Sequence, residues 1–119
     1  MTITQVKVLT VPVSDQDAAK AFYAGTLGFQ VLADNSDGPM RWLQVAPEGA
    51  ATSIVLAALP GATPGGMRGL MLESSDLDAD CATLREAGVA VDGPDRLPWG
   101  RQATFADPDG NEIVLTEKW

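Results

Sequence analysis

Ser14-Asp15-Gln16-Asp17-Ala18-Ala19 and Ser75-Asp76-Leu77-Asp78-Ala79-Asp80 carry one signal written twice, 61 residues apart. In each copy a Ser-Asp pair offers side-chain oxygen to the bare N–H groups of a helix start. The second aspartate, Asp17 or Asp78, suits the positive end of the helix dipole. A β-like run precedes each copy, Val6 to Val13 (VKVLTVPV) and Gly69 to Glu73 (GLMLE). About ten helix-compatible residues follow each. These stretches end at Leu27-Gly28-Phe29-Gln30-Val31 and Ala87-Gly88-Val89-Ala90-Val91, so Gly28 and Gly88 stand where a glycine just past the last turn closes a helix.

The repeat continues to the end of each half. Arg41-Trp42-Leu43-Gln44-Val45 leads through Ala46-Pro47-Glu48-Gly49 to Ser53-Ile54-Val55-Leu56. Arg101 to Phe105 leads through Asp107-Pro108-Asp109-Gly110-Asn111 to Glu112-Ile113-Val114-Leu115. Pro, Gly, Asp and Asn between apolar runs are turn chemistry, and each pair reads as a β-hairpin. The unit is β-α-β-β-β, used twice. Residues 1–119 are one domain's worth of chain. Module one covers about 1–59, the breaker-rich Pro60 to Gly66 is the linker, and module two covers about 67–119. One such unit cannot bury both faces of its sheet, so the two are expected to flank a shared groove, a common place for a ligand.

Composition narrows the function. No apolar run approaches the roughly 20 residues of a membrane span, and the N-terminus has no secretion signal. The single cysteine, Cys81, suits a reducing cytoplasm and, lacking a nearby base, reads as an inert small residue. Eight Lys and Arg against sixteen Asp and Glu give a net charge of −8, which argues against nucleic acid as a partner. There are no histidines. That excludes a histidine-based metal site, a Ser-His-Asp triad and a Cys-His pair.

Phe22-Tyr23, Leu27-Gly28-Phe29, Ser75-Asp76-Leu77-Asp78-Ala79 and Asp107-Pro108-Asp109-Gly110-Asn111, in this order and spacing, resemble the vicinal oxygen chelate superfamily of glyoxalase I, bleomycin-resistance proteins and extradiol dioxygenases. The resemblance implies an α+β fold in which two tandem βαβββ modules form a U-shaped, mostly antiparallel sheet around a cavity, commonly in a homodimer. Most enzymes of that superfamily hold a divalent metal on cavity-facing strand positions. Carried over one at a time, those positions fall on Val8, Val55, Gly69 and Val114. None of these side chains has a lone pair, so neither a metal, a cofactor nor a catalytic residue is expected here.

Strand alternation from the same positions puts Val8 with Val6 and Thr10, Gly69 with Met71 and Glu73, and Val114 with Glu112 and Thr116, while Leu9 and Val11 pack under the helices. Trp42 with Arg41 and Gln44, and Trp99 with Arg101, are candidates to stack on and anchor a planar ligand; packing into the core or a dimer interface is the structural alternative. Which of Arg41 and Trp42 points to the ligand is not fixed by the sequence. Phe22 and Phe29 read as core, Tyr23 as a core tyrosine, and Asp107 and Asp109 as turn formers. Three functions fit: a metal-free protein binding a small organic molecule, aromatic or cationic, as bleomycin-resistance proteins do; an enzyme using Glu112, Glu73 or Tyr23 as acid or base; or an accessory module with a vestigial cavity.

Overall fold

Asp15 is extended, and its carboxylate accepts hydrogen bonds from the N–H groups of Asp17 and Ala18, at 2.9 and 3.1 Å. This cap starts α1, Gln16–Lys20, in the computed structural model, which describes residues 1–119. The ten-residue α-helix expected here is not uniform. After one turn it widens into a π-helical segment, Ala21–Thr26, in which Leu27 N–H reaches back to the Phe22 carbonyl at 2.9 Å. The wider turn seats Phe22 and Tyr23 in the core together with Phe29, with edge-to-face rings around Tyr23. Gly28 follows with φ of +76°, a conformation glycine adopts without steric cost.

The chain divides into two units, Met1–Pro64 and Gly65–Trp119, parted within the Pro60 to Gly66 stretch. The first holds β1 (Val8–Pro12), α1, β2 (Gln30–Asn35), β3 (Trp42–Ala46) and β4 (Ser53–Ala57). Its sheet runs β1-β4-β3-β2, with β1 parallel to β4 and the other neighbours antiparallel. The second holds β5 (Leu70–Ser74), α2 (Leu77–Glu86), β6 (Asp92–Leu97), β7 (Gly100–Ala106) and β8 (Glu112–Glu117). Its sheet has the matching order β5-β8-β7-β6, with β5 parallel to β8. Each parallel pair is possible because a helix and two strands intervene, giving the chain length to cross over.

Alternation sorts the side chains. On β3, Leu43 and Val45 are fully buried under α1. On β8, Ile113 and Leu115 take the same role with Phe105 of β7 and with Leu77 and Leu84 of α2. Burying each such side chain stabilises the fold by ~1.5–3 kcal/mol. On β1, Val11 is buried as expected, but Leu9 stays 41% exposed, because β1 is the outer strand of its sheet. α1 is further fastened by Gln16, whose Nε2 donates to the carbonyls of Leu56 and Arg41 at 2.9 and 3.1 Å.

In the second unit Asp76 caps α2 by accepting from Ala79 N–H at 3.1 Å. Asp107 and Asn111 build the β7–β8 turn: Asp107 Oδ1 accepts from the N–H groups of Asp109 and Asn111, and its Oδ2 from Asn111 Nδ2 at 2.8 Å. Asn111 Oδ1 in turn accepts from Met67 N–H at 3.1 Å, tying the chain before β5 to this turn.

Candidate ligand-binding site

The two strand arginines settle the orientation of β3 and β7. Arg41 Nη1 donates to Asp17 Oδ1 at 2.7 Å, and its Nε and Nη2 donate to Asp34 of β2 at 2.8 and 3.0 Å. Arg101 grips Asp78, in the first turn of α2. Both arginines therefore point to the helix-covered side of their sheets, bound to carboxylates of the fold itself. Their neighbours in sequence, Trp42 and Gln102, point to the opposite, helix-free face.

On the helix-free face of the first sheet, Thr10, Val55, Gln44 and Ala33 form one row across four strands. Val8 pairs with Ser53 one pleat along. Gln44 joins these rows to the aromatic group, because its Nε2 donates to Ser53 Oγ at 2.7 Å and its Oε1 accepts from the Trp42 indole at 3.0 Å. Trp42 remains 46% exposed.

The second sheet carries two full rows on its helix-free face. One is Met71, Val114, Thr104 and Asp92; the next is Glu73, Thr116, Gln102 and Asp95. Glu112, paired with Ala106, begins a third. The β6–β7 turn is Pro98-Trp99, and the Trp99 indole donates to Gln102 Oε1 at 3.1 Å. Trp99 is 56% and Met71 47% exposed. Each unit thus presents an indole whose N–H is held by a glutamine of the same face. What such a ring offers a ligand is its π surface, not a donor. Trp119 lies elsewhere, with its ring beside Gly100 at the start of β7.

The other sequence candidates for chemistry lie apart from these faces. Tyr23 is enclosed in the core of the first unit, and Cys81 is buried in α2, where burial pushes its thiol pKa up and leaves it a poor nucleophile. Asp92, Asp95, Thr104 and Gln102 belong to the face but escaped the sequence reading. β6, with Gly93 and Pro94 inside it, reads as a breaker, and a register shift between Asp92 and Asp95 scrambles simple alternation.

The family profile described as Glyoxalase/Bleomycin resistance protein/Dioxygenase superfamily matches residues 5–115, and the chain belongs to that superfamily. The chain is similar to TnmS3, an antibiotic-binding protein from Streptomyces sp. CB03234, with 57% identity and a TM-score of 0.95 over 100% of this chain and 99% of that one. A superfamily member from Sphaerobacter thermophilus DSM 20745 is 40% identical, with a TM-score of 0.90 over 99% of this chain and 100% of that one. YetH of Bacillus subtilis (strain 168), a protein of uncharacterized function, is 34% identical, and the match covers 97% of this chain and 99% of that protein.

Membership implies a divalent metal for many relatives, and the donor chemistry of this chain does not fit one. Val8, Val55 and Val114, three of the positions that the resemblance points to, sit on the helix-free faces, and the fourth, Gly69, lies just before β5. No group of three or more His, Cys, Asp or Glu side chains is placed to hold an ion. Hydrocarbon around an ion leaves its desolvation uncompensated. No helix of the chain is long and apolar enough to cross a membrane.

Proposed function

We propose that this protein binds a small organic molecule of antibiotic type, holding a planar aromatic part of it against the helix-free face of a sheet and without a metal. The observation that carries the reading is the repeated pair, Trp42 with Gln44 and Trp99 with Gln102, which keeps two indole rings exposed and fixed by hydrogen bonds. Each unit adds apolar and hydroxyl surface on its own sheet, Val8 and Thr10 in the first and Met71 and Val114 in the second. Arg41 and Arg101 shape the frame beneath it. The antibiotic-binding description of TnmS3 supports the ligand class. The homodimer and the cytoplasmic setting expected from the sequence belong to the same proposal; exposed Ile3, Val6, Val31 and Leu32 and the lone buried Cys81 support them.

The test is intrinsic tryptophan fluorescence titrated with a panel of polycyclic aromatic antibiotics and, as contrast, non-aromatic aminoglycosides. Saturable quenching by members of the first group, weakened about tenfold by Trp99→Ala or Trp42→Ala and largely kept by the Phe variants, is the expected result. A panel with no saturable ligand refutes the proposal. Native mass spectrometry of the same samples reads the oligomeric state.

A further inference from the structure

The second unit contains a cavity of about 430 Å³ at the end of β7 remote from Trp99. Its walls include Arg68, Val91, Asp92, Thr104, Ala106 and Glu112. The strand lattice explains their convergence. Thr104 pairs with Asp92 on one side, and Ala106 pairs with Glu112 on the other, so the two carboxylates flank the same end of β7.

The charges in this cavity are incompletely matched. Arg68 is the one cation of the lining. Its Nη1 is held by the carbonyls of Met67 and Gly65 at 2.8 and 3.0 Å, and its Nε stands 3.9 Å from Glu112 Oε2, a loose approach. The Asp92 carboxylate has no partner within the chain. Two carboxylates and the Thr104 hydroxyl thus line a space in which one guanidinium is turned mainly toward backbone. Such a lining favours a donor-rich cation over an anion, in keeping with the chain's net charge of −8.

Distance connects this cavity to the aromatic platform. Gln102, which holds the Trp99 indole, is two residues from Thr104, about 7 Å along β7. A fused-ring system spans that interval. We propose that this cavity receives a cationic nitrogen group of the bound molecule, so that the ligand is an aromatic cation whose rings lie at Trp99 and whose charged N–H groups sit between Asp92 and Glu112. The assignment rests on the proposed function and adds the charge of the ligand and the place where that charge is read.

Equilibrium dialysis at about pH 7.5 with 9-aminoacridine, a planar cation, and acridine, its uncharged counterpart, separates the two ideas. Wild-type protein is expected to hold the cation more tightly, and higher salt to weaken the cation alone. The Asp92→Asn, Glu112→Gln double variant is expected to lose about fivefold to tenfold in affinity for 9-aminoacridine and to keep its affinity for acridine. Arg68→Gln, which removes the competing cation, acts in the opposite direction and tightens 9-aminoacridine. Unchanged binding of both probes by the double variant, with the melting curve intact, overturns the cavity assignment and leaves the aromatic reading standing. If wild-type protein binds neither probe, both fall.

Discussion

Arg101 holds Asp78 with two parallel hydrogen bonds, Nη2 to Oδ1 at 2.7 Å and Nη1 to Oδ2 at 3.0 Å, and so fastens β7 to the first turn of α2. The same device recurs in the first unit, where Arg41 joins β3 to Asp17 of α1 and to Asp34 of β2, and Lys20 adds a 2.8 Å contact to Asp34. These arginines hold the carboxyls of Asp34 and Asp78 below the usual carboxylate range, chiefly by direct hydrogen bonding. A carboxyl depressed in the folded state stabilises the fold above its unfolded pKa, near 3.8, and that contribution fades as pH falls below it. Urea midpoints measured from about pH 6 down to about pH 3 should therefore fall for the wild type. The Asp34→Asn, Asp78→Asn variant should start lower and fall less. Parallel curves for the two proteins would show that these pairs carry no acid sensitivity.

Adjacent residues on β3 should behave as opposites. Leu43 is fully buried on the helix side, and Leu43→Ala should cost ~2–5 kcal/mol of unfolding free energy. Trp42, next to it and on the other face, should change stability by less than ~1 kcal/mol when replaced by alanine, because its ring is half-exposed. Denaturant titration of both variants checks the orientation of the strand. A Trp42→Ala loss as large as that of Leu43→Ala would mean that the strand is turned over.

Two linker glycines provide a steric comparison. A Cβ on Gly65, at φ of +84°, would lie 2.1 Å from the Asp109 carbonyl oxygen, whereas one on Gly61, at φ of +79°, would meet nothing within 4 Å. Gly61→Ala should cost ~1–2 kcal/mol, the strain of a left-handed backbone alone. Gly65→Ala should cost that and a further ~1–3 kcal/mol for the overlap, since a backbone carbonyl cannot swing aside. Equal melting temperatures for the two variants would count against the close approach of Gly65 to the β7–β8 turn.

Chelation should be without effect. Dialysis against EDTA is expected to leave the melting temperature within about 1 °C, because no group of three or more His, Cys, Asp or Glu side chains is placed to hold a stabilising ion. Calorimetric titration with Zn²⁺ or Mn²⁺ should show no saturable heat. A stoichiometric site would require donors that the valines at positions 8, 55 and 114 do not carry.

Much of the frame was legible because its signals are local. Asp15 and Asp76 announce the helix starts by their own chemistry, and the Asp107 to Asn111 turn forms from residues four apart in sequence. Alternation about Val8, Gly69 and Val114 set the expected faces of β1, β5 and β8, and on β1 the fold buries Val11 but not Leu9. β3 resisted, because Arg41, Trp42 and Gln44 are all amphipathic and any of them tolerates either face. Its orientation is decided by Asp17 and Asp34, which are 24 and 7 residues away from Arg41. The π-helical widening after Lys20 and the polar half of β6 were illegible for the same reason: tertiary packing and a strand irregularity set them, and neither leaves a periodic trace in the sequence.

The Arg–Asp clasps and the indole–glutamine pairs occupy opposite sides of the same strands. On the proposed function, architecture and recognition are therefore inscribed on separate surfaces, one residue out of phase with each other. On that proposal, substitutions at Thr10, Met71, Thr104 or Val114 are expected to retune what is held without loosening what is folded, which leaves a duplicated scaffold of this kind free to diversify.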